Sequence, residues 1–317
     1  MKSSTIVKIL GAESLGVRSF AAYIETPDIK ILLDPGCALG PTSKAPIPHP
    51  IEYERLIKKT NELICTSKVV DIIIISHYHN DHFKNFITDY DYIYTDPEIA
   101  ASLYSNKTIF IKDPGNFINT SQRGRARVFL HHAKKICEKS MVSDNNSFMF
   151  GNTRIDFSRP VLHGEQDSKR GWVVMTTVIN NNNDEILTFT SDIQGPLVSD
   201  TLDLILTIKP DRLFLDGPAL NKNEQMSINY LASLYDNIDS IIVDHHLLRS
   251  LHWKTWLETT IGANIQNISC AADYNKEEMA QLEAKRRELY NSYPESQEFS
   301  DWAALTANER KSQKPPL

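Results

Sequence analysis

The segment from residue 77 to residue 82 holds three histidines and one aspartate in the order His-Tyr-His-Asn-Asp-His. It follows Ile72 to Ile75, an apolar run that predicts a short buried strand, and Ser76 is the exit residue. A chain with this order must bring four polar side chains to the end of a buried strand. Such a cluster costs desolvation free energy unless its groups are paired, and a bound metal ion pairs all four. The segment therefore predicts a metal-binding loop.

Further candidate ligands follow other apolar runs, far away along the chain. Histidine clusters also arise by chance on surfaces, and a single buried histidine is usually satisfied by its packing. The chain has 10 histidines, and five or six of them belong to this pattern, which favours a metal site over chance. The candidates outside the loop are His163, Asp192, His245 and His246.

These motifs resemble, in order, those of the metallo-β-lactamase superfamily. The 77–82 segment is similar to the signature of that family. Residues 32–36 are similar to an early strand-turn motif, whose aspartate, Asp34 here, supports the metal loop. The remaining matches are His163 for the third motif, Asp192 for the bridging carboxylate and His245 for the last histidine ligand.

The resemblance extends over residues 5–249, and segments 13–19 and 244–249 are similar to an archaeal branch of the superfamily. It implies an α/β fold, a four-layer αββα metallo-β-lactamase sandwich with the metal site along one edge. Predicted strands that alternate with helices agree with two packed sheets covered by helices. We expect residues 1–265 to form the catalytic domain. Residues 266–317 should add a charged helix, over residues 276–290, and a polar tail, packed on the same domain.

The resemblance also implies two metal sites, with Asp81 as the residue on which catalysis depends. Ligands with nitrogen and oxygen atoms but no thiolate suit two Zn²⁺ ions, and also Mn²⁺ or iron. Two such cations activate a hydroxide by lowering the pKa of water from about 15.7 towards 7, and they polarise the scissile bond. The implied ligands are His77, His79 and His163 at site one, Asp81, His82 and His245 at site two, and Asp192 as the bridge.

Two of these positions have an alternative interpretation. We favour His245 over His246 as the ligand, because in an extended segment neighbouring side chains face opposite ways. His246 would then support or pack against the ligands. We expect Asp34 to orient a ligand imidazole from behind, whereas the alternative is an aspartate that only ends a strand at a turn.

The same motifs disfavour several branches of the superfamily. β-Lactamases often lack a histidine at the position of His82, and flavodiiron proteins usually carry glutamate at the position of His79 and need a flavin domain. β-CASP nucleases carry a large inserted domain before the last histidine motif, whereas Asp192 and His245 are separated by a short stretch here. A hydrolase with two complete metal sites remains as the expected class.

The type of bond that is hydrolysed is inferred from nearby cations. Arg18, Lys169 and Arg170 stand near the expected site, where they are candidates to bind a substrate phosphate or carboxylate. Surface charge explains each of them equally well. We favour a phosphoester or phosphodiester, in a small-molecule or nucleotide substrate. A lactone or thioester hydrolase is the alternative, which an apolar pocket would support, and a non-catalytic metal-binding or redox module is a further one.

Net charge argues against a general affinity for nucleic acids. The chain carries −6 at pH 7, so no overall basic field attracts a polyanion. Residues 121–139 nevertheless hold six Lys and Arg residues against Glu138 alone. This segment is either an anion-binding helix or a solvated helix face, and we favour the solvated face. A nucleic-acid partner is therefore not favoured.

Location is inferred from what the sequence lacks. The four cysteines form no Cys-x-x-Cys pair, which suits a reducing compartment. No apolar run approaches the roughly 18 residues of a membrane span. Residues 1–4 lack the apolar core of a signal peptide. We expect a cytoplasmic protein with no membrane partner, and the sequence leaves its oligomeric state open.

Overall fold

The apolar runs of the sequence become the strands of two large sheets and one small sheet in the computed structural model, which describes residues 5–41, 46–220, 224–262 and 265–317. The first sheet has its six strands in chain order. They are β1 (Ile6–Gly11), β2 (Ala21–Glu25), β3 (Lys30–Leu33), β4 (Ile72–Ile75), β5 (Thr108–Ile111) and β6 (Lys139–Val142).

The second sheet has seven strands in the described part of the chain. A separate two-stranded sheet is formed by short segments between residues 161 and 173. The two strands of the small sheet are β9 (Val161–Leu162) and β10 (Trp172–Val173). The second sheet has the order β15-β14-β13-β12-β11-β8-β7. Its strands are β7 (Ser147–Phe150), β8 (Thr153–Phe157), β11 (Thr176–Asn180), β12 (Glu185–Phe189), β13 (Arg212–Leu215), β14 (Ser240–Val243) and β15 (Ile268–Ser269).

Helices occupy the connections between the strands and the C-terminal part of the chain. Two short 3₁₀ turns, Glu13–Leu15 and Leu247–Arg249, lie near strand ends. The α-helices are α1 (Pro50–Ser67), α2 (Pro97–Tyr104), α3 (Thr120–Ile136), α4 (Ser199–Ile208), α5 (Glu224–Asn237), α6 (Trp253–Ile261), α7 (Ala271–Asn275), α8 (Arg286–Ser292), α9 (Gln297–Ala303) and α10 (Ala307–Ser312).

Strand β4 shows why the layers form. All four of its isoleucines are buried. Ile72 and Ile74 belong to the core that the two sheets share, whereas Ile73 and Ile75 pack in a second core with side chains of α1, α2 and α3. Successive side chains of a strand face opposite sides, so an unbroken apolar run is buried only between two apolar layers. Side chains of α4, α5 and α6 cover the second sheet, and the predicted αββα order is confirmed.

Each sheet combines antiparallel and parallel pairs. In the first sheet β3, β4, β5 and β6 pair in parallel, and in the second sheet β12, β13, β14 and β15 do so. Parallel strands end at the same edge of a sheet, and their exit loops therefore meet. This edge holds the candidate site.

The C-terminal segment, residues 276–317, differs from the expected charged helix and polar tail. Lys276 ends α7 in a left-handed conformation, and a helix resumes only at Arg286. The charged side chains of this segment bind other elements instead of lying along one helix: Glu283 pairs with Arg18, and Arg286 pairs with Glu52. The expected tail contains α9 and α10. Phe299 and Trp302 of α9 pack on Tyr53 of α1.

Among the described residues, no helix combines the length and the apolar character that crossing a membrane requires.

Candidate metal centre

Strands of the two large sheets and of the small sheet deliver polar residues to one edge of the sandwich. Outside the 77–82 loop, these residues stand directly after a strand or at most three positions beyond its last residue. Asp34 follows β3, the 77–82 loop follows β4, His163 follows β9, Asp192 follows β12, Asp216 follows β13, and Asp244, His245 and His246 follow β14. Rigid strands hold these exit loops in place, so the side chains converge without needing a flexible segment.

Among the described residues, the converging side chains form four overlapping groups that could hold a metal ion, two of which correspond to the expected sites, and the other two are Asp34, His77 and His82, and Asp192, His245 and His246. In each group one ligand atom of every residue lies within 4.8 Å of the others. His77, His79, His163 and Asp192 form the group that corresponds to site one. Asp81, His82 and His245 form the group that corresponds to site two. The structure therefore brings together all seven side chains that the sequence assigned to the two sites.

Asp192 lies between the two groups. Its Oδ1 is 3.0 Å from Nε2 of His82 and 3.4 Å from Nε2 of His245. Its Oδ2 is 3.3 Å from Nε2 of His163 and 3.7 Å from Nε2 of His77. One carboxylate oxygen thus faces each site, which is the arrangement that a bridging ligand needs.

Several buried atoms of this centre have no hydrogen-bond partner among the described residues. They are Nε2 of His82, both ring nitrogens of His163 and Oδ1 of Asp192. An unsatisfied buried polar atom costs about 1–3 kcal/mol, so three such side chains at one point are unfavourable without a further partner. A divalent cation would satisfy the atoms that face the centre. The nitrogen and oxygen donors fit zinc, manganese or iron.

Carboxylates lie behind three of the imidazoles. Nδ1 of His82 is 2.9 Å from Oδ2 of Asp34, and Nδ1 of His245 is 2.8 Å from Oε2 of Glu13. A third pair joins Nδ1 of His246 to Oδ2 of Asp216, at 2.7 Å. A carboxylate that accepts a hydrogen bond from Nδ1 orients the ring and leaves Nε2 facing the centre.

The backbone after β14 is not extended, contrary to our expectation. His245 has φ +53°, in the left-handed region, so the chain turns between the two histidines. Both rings consequently face Asp192, with Nε2 of His246 at 3.9 Å from its Oδ2. His246 also lines the pocket in front of the centre.

Burial keeps the imidazoles of site one neutral. It lowers the pKa of His79 to about 4 and that of His163 to about 3, and it holds the pKa of His77 well below its usual value, with nearby histidines adding to the effect. A neutral imidazole offers its lone pair to a cation without losing a proton. These three side chains are therefore ready to bind metal at neutral pH.

The charges of site two are set by its carboxylates. Burial disfavours a charged His245, but Glu13 and Asp192 raise its pKa to about 10. In the same way, Asp192 and Asp34 outweigh burial and raise the pKa of His82. Burial also opposes ionisation of Asp81, yet His82 and His245 lower its pKa to about 2. The carboxylates around site two favour a positive charge there. A bound metal cation would supply this charge in place of the protons of His82 and His245.

A pocket of about 880 Å³ opens in front of the centre. Three arginines line it, namely Arg18, Arg170 and Arg249. Arg18 is paired with Glu283 at 2.5 Å, whereas Arg170 has no ion pair within the described residues. Lys169, the third predicted cation, is exposed and is not among the residues that line the pocket.

Sequence reasoning missed the supporting roles of Glu13, Asp216 and Arg249. Asp216 directly follows β13, just as other candidates follow their strands, and this position was a usable signal. Glu13 gave no such signal, because it reaches His245 from more than two hundred residues away. Arg249 donates from Nε to Oε1 of Glu13 at 2.8 Å, and it therefore stabilises the carboxylate that orients His245.

Removal of the Asp34 carboxylate should weaken site two. Asp34 is 2% exposed and also accepts hydrogen bonds from the backbone and hydroxyl of Ser76. We expect Asp34→Ala to lower metal affinity by roughly 10–100-fold, because His82 loses its orienting partner. Zinc titration of the metal-free protein by calorimetry measures this. Asp200→Ala, which removes an exposed carboxylate, is the matched control, and equal affinities of the two variants would contradict the role of Asp34.

Archaeal proteins resemble this chain over nearly its whole length. It is 35% identical over 305 residues to a UPF0282 protein of Korarchaeum cryptofilum, covering 92% of this chain and 97% of that protein. It is 39% identical over 295 residues to a UPF0282 protein of Sulfurisphaera tokodaii, covering 89% and 91%. No protein-family model matches the chain.

A solved structure shares the fold at low sequence identity. The metallo-β-lactamase fold protein YhfI from Bacillus subtilis superposes with a TM-score of 0.51 and 11% identity, covering 84% of this chain and 96% of that chain. The predicted fold class, and the predicted resemblance to an archaeal branch of the superfamily, are confirmed.

Proposed function

Since the chain belongs to the UPF0282 family and has the metallo-β-lactamase fold, we propose that it is a metal-dependent hydrolase with a binuclear centre, and that it cleaves phosphoester or phosphodiester bonds. The position of Asp192 carries this proposal. Its two oxygens face two separate groups of imidazoles, Oδ1 towards His82 and His245 and Oδ2 towards His77 and His163. A site for a single ion would need only one of the two groups of imidazoles.

The residues of the chain have distinct tasks in this proposal. His77, His79 and His163 hold one cation, and Asp81, His82 and His245 hold the other. Zinc is the first metal to test at both sites, because its preferred ligands match these side chains. Two bound cations would lower the pKa of a water molecule towards about 7 and polarise the phosphoryl oxygen. Glu13 and Asp34 keep the rings of His245 and His82 in position. The pocket wall holds the substrate over the centre.

One arginine on the pocket wall favours an anionic substrate. Arg170 is exposed and faces the pocket without a carboxylate partner within the described residues, so it is available to bind a phosphate oxygen. Arg18 and Arg249 are already paired with Glu283 and Glu13, so Arg170 carries this argument. The alternative, a lactone or thioester hydrolase, needs an apolar pocket, and the charged side chains on the wall disfavour it. A small-molecule or nucleotide phosphoester is the proposed substrate class.

Turnover of simple substrates tests the proposal. The full chain is purified, loaded with Zn²⁺ or Mn²⁺, and offered bis(p-nitrophenyl) phosphate, a lactone and a thioester side by side. We expect hydrolysis of the phosphodiester, its loss after treatment with a chelator, and its loss in Asp81→Ala.

Each other result has a defined meaning. Hydrolysis of the lactone or thioester alone would refute the proposed bond type and retain the hydrolase. Turnover that persists in Asp81→Ala would refute the proposed centre. Two bound metals with no turnover of any of the three would favour a non-catalytic metal-binding module.

A further inference from the structure

The outer face of helix α3 carries exposed cations that lack carboxylate partners. Within the described part of the chain, Arg123, Arg127, Lys134 and Lys135 form no ion pair, although the chain has more acidic than basic residues. Together with His131, Leu130 and the Pro114–Gly115 turn, they line a groove of about 720 Å³, which we call the α3 groove. Like charges at this density repel one another, so the face is poised to bind an anion.

The spacing of these cations suits an extended polyanion. Arg123, Arg127 and Lys134 are separated by four and seven residues, which places them on one face of the helix. The distance from Arg123 to Lys134 is roughly 16 Å at about 1.5 Å per residue. An extended polyanion would place more than one of its phosphates along this face. A single small phosphate would need only one end of it.

The beginning of α3 is fixed against the metal loop. Gln122, which is fully buried, accepts a hydrogen bond from the backbone N–H of Tyr78 at 3.0 Å and donates to the carbonyl of Arg170 at 2.7 Å. Arg125 donates to the carbonyl of Tyr78. Tyr78 stands between two ligands of site one, and Arg170 lines the pocket. The beginning of α3 is therefore held in a fixed position relative to the metal loop and the pocket wall.

Two aromatic side chains stand close in sequence to the beginning of α3 and to Arg170, and their rings contact each other. Phe117 is 60% exposed, and its ring centroid is 6.0 Å from that of Trp172. Phe117 stands two residues before Asn119, the N-cap of α3, and Trp172 stands two residues after Arg170. An exposed aromatic ring next to a basic groove is the combination that binds unpaired bases and their backbone. The aromatic residue within α3, Phe129, is buried and takes no part.

We propose that the α3 groove and the Phe117–Trp172 pair bind a single-stranded nucleic acid, whose backbone continues past Arg170 to the metal centre. The solvated helix face that the sequence favoured does not account for an exposed aromatic ring just before the beginning of α3. The identity of the strand as substrate rests on the proposed hydrolase function. Its binding in the groove does not, because the groove contains none of the metal ligands.

Binding is measured on the full chain without metal, in the presence of a chelator, so that no cleavage occurs. The probe is a fluorescein-labelled single-stranded RNA of about 16 nucleotides, the upper end of common site sizes, and fluorescence anisotropy reports its binding. A DNA strand of equal length distinguishes the two nucleic acids. We expect the triple variant Arg123→Glu, Arg127→Glu, Lys134→Glu to bind at least about tenfold more weakly, with the salt slope reduced by roughly 2.

The matched control carries the same change of charge elsewhere. Lys58→Glu, Lys254→Glu and Arg287→Glu replace three exposed cations on other helices, and this variant should bind like the unaltered chain. Phe117→Ala should weaken binding without changing the salt slope. Thermal unfolding checks that each variant is folded, and glutamine versions of the triple variant replace it if it is not.

Three results would overturn the proposal. The unaltered chain would fail to bind either strand at low salt, or the control variant would lose as much affinity as the α3 variant. Alternatively, phosphatidylglycerol vesicles would bind through the same residues while the oligonucleotides did not, which would assign the groove to a membrane surface. The binding assay contains no metal and the turnover assay does, so the two proposals fail separately. Binding of the oligonucleotide together with no turnover in the separate assay would refute the hydrolase and leave the proposed binding in the α3 groove intact.

Discussion

Asp192→Asn should reduce phosphodiester turnover by roughly a thousandfold or more. The carboxylate places one oxygen beside His82 and His245 and the other beside His77 and His163. An amide has one oxygen and a nitrogen that carries no negative charge, so it leaves one of the two sites incomplete. Loss of the stabilisation that a second cation gives to the transition state, about 4 kcal/mol, corresponds to this factor.

Metal content and turnover are measured together on this variant. We expect fewer metal ions per chain than in the unaltered protein, alongside the lost activity. Asp200→Asn is the control, since the side chain of Asp200 is 79% exposed and lies outside the centre. A variant that retains both metals and turns over substrate within a few-fold of the unaltered rate would show that Asp192 is not a bridge.

Arg286→Met should destabilise the protein by about 3–5 kcal/mol. The guanidinium donates from Nε to Oε1 of Glu52 at 2.7 Å and from Nη2 to Oε2 at 2.9 Å, and both side chains are almost fully buried. Nη2 also donates to the carbonyl of Gly40 at 2.9 Å. The substitution leaves the Glu52 carboxylate buried without its charged partner, and it removes one of the contacts between the C-terminal segment and α1.

Thermal unfolding measures this effect. At about 2–4 °C per kcal/mol the melting temperature should fall by roughly 10 °C. Arg287→Met, in the same helix but exposed, should change it little. Adding Glu52→Gln to Arg286→Met should recover part of the loss, because it removes the unpaired charge. An unchanged melting temperature in Arg286→Met would show that the pair contributes nothing to stability.

The sequence predicted the fold class and the side chains that converge at one edge because both depend on local patterns. The isoleucines of β4 point to both faces of the strand, so the strand must lie between two apolar layers. The 77–82 segment follows the strand and therefore lies at the edge of the sheet. His163, Asp192 and His245 each follow an apolar run for the same reason. Parallel strands then bring these exits together at one edge.

The direction of His246 was beyond such reasoning. It depends on the left-handed backbone of His245, a single torsion angle that no hydrophobic period reports. The expected helix over residues 276–290 failed for a related reason. Its charged residues suit a solvated helix, but Glu283 and Arg286 find buried partners far away in sequence, and these interactions outweigh helix propensity.

By itself, the sequence determined which residues form the strands of this protein and which side chains follow those strands at the edge that holds the candidate site. The reason is that the alternation of buried faces and the order of motifs are properties of short segments. Only the tertiary structure decided that Glu13 and Asp216 support the histidines, and that the beginning of α3 is bonded to the backbone of Arg170 on the pocket wall. Those relations join segments far apart in the chain, and the packing of whole layers determines them.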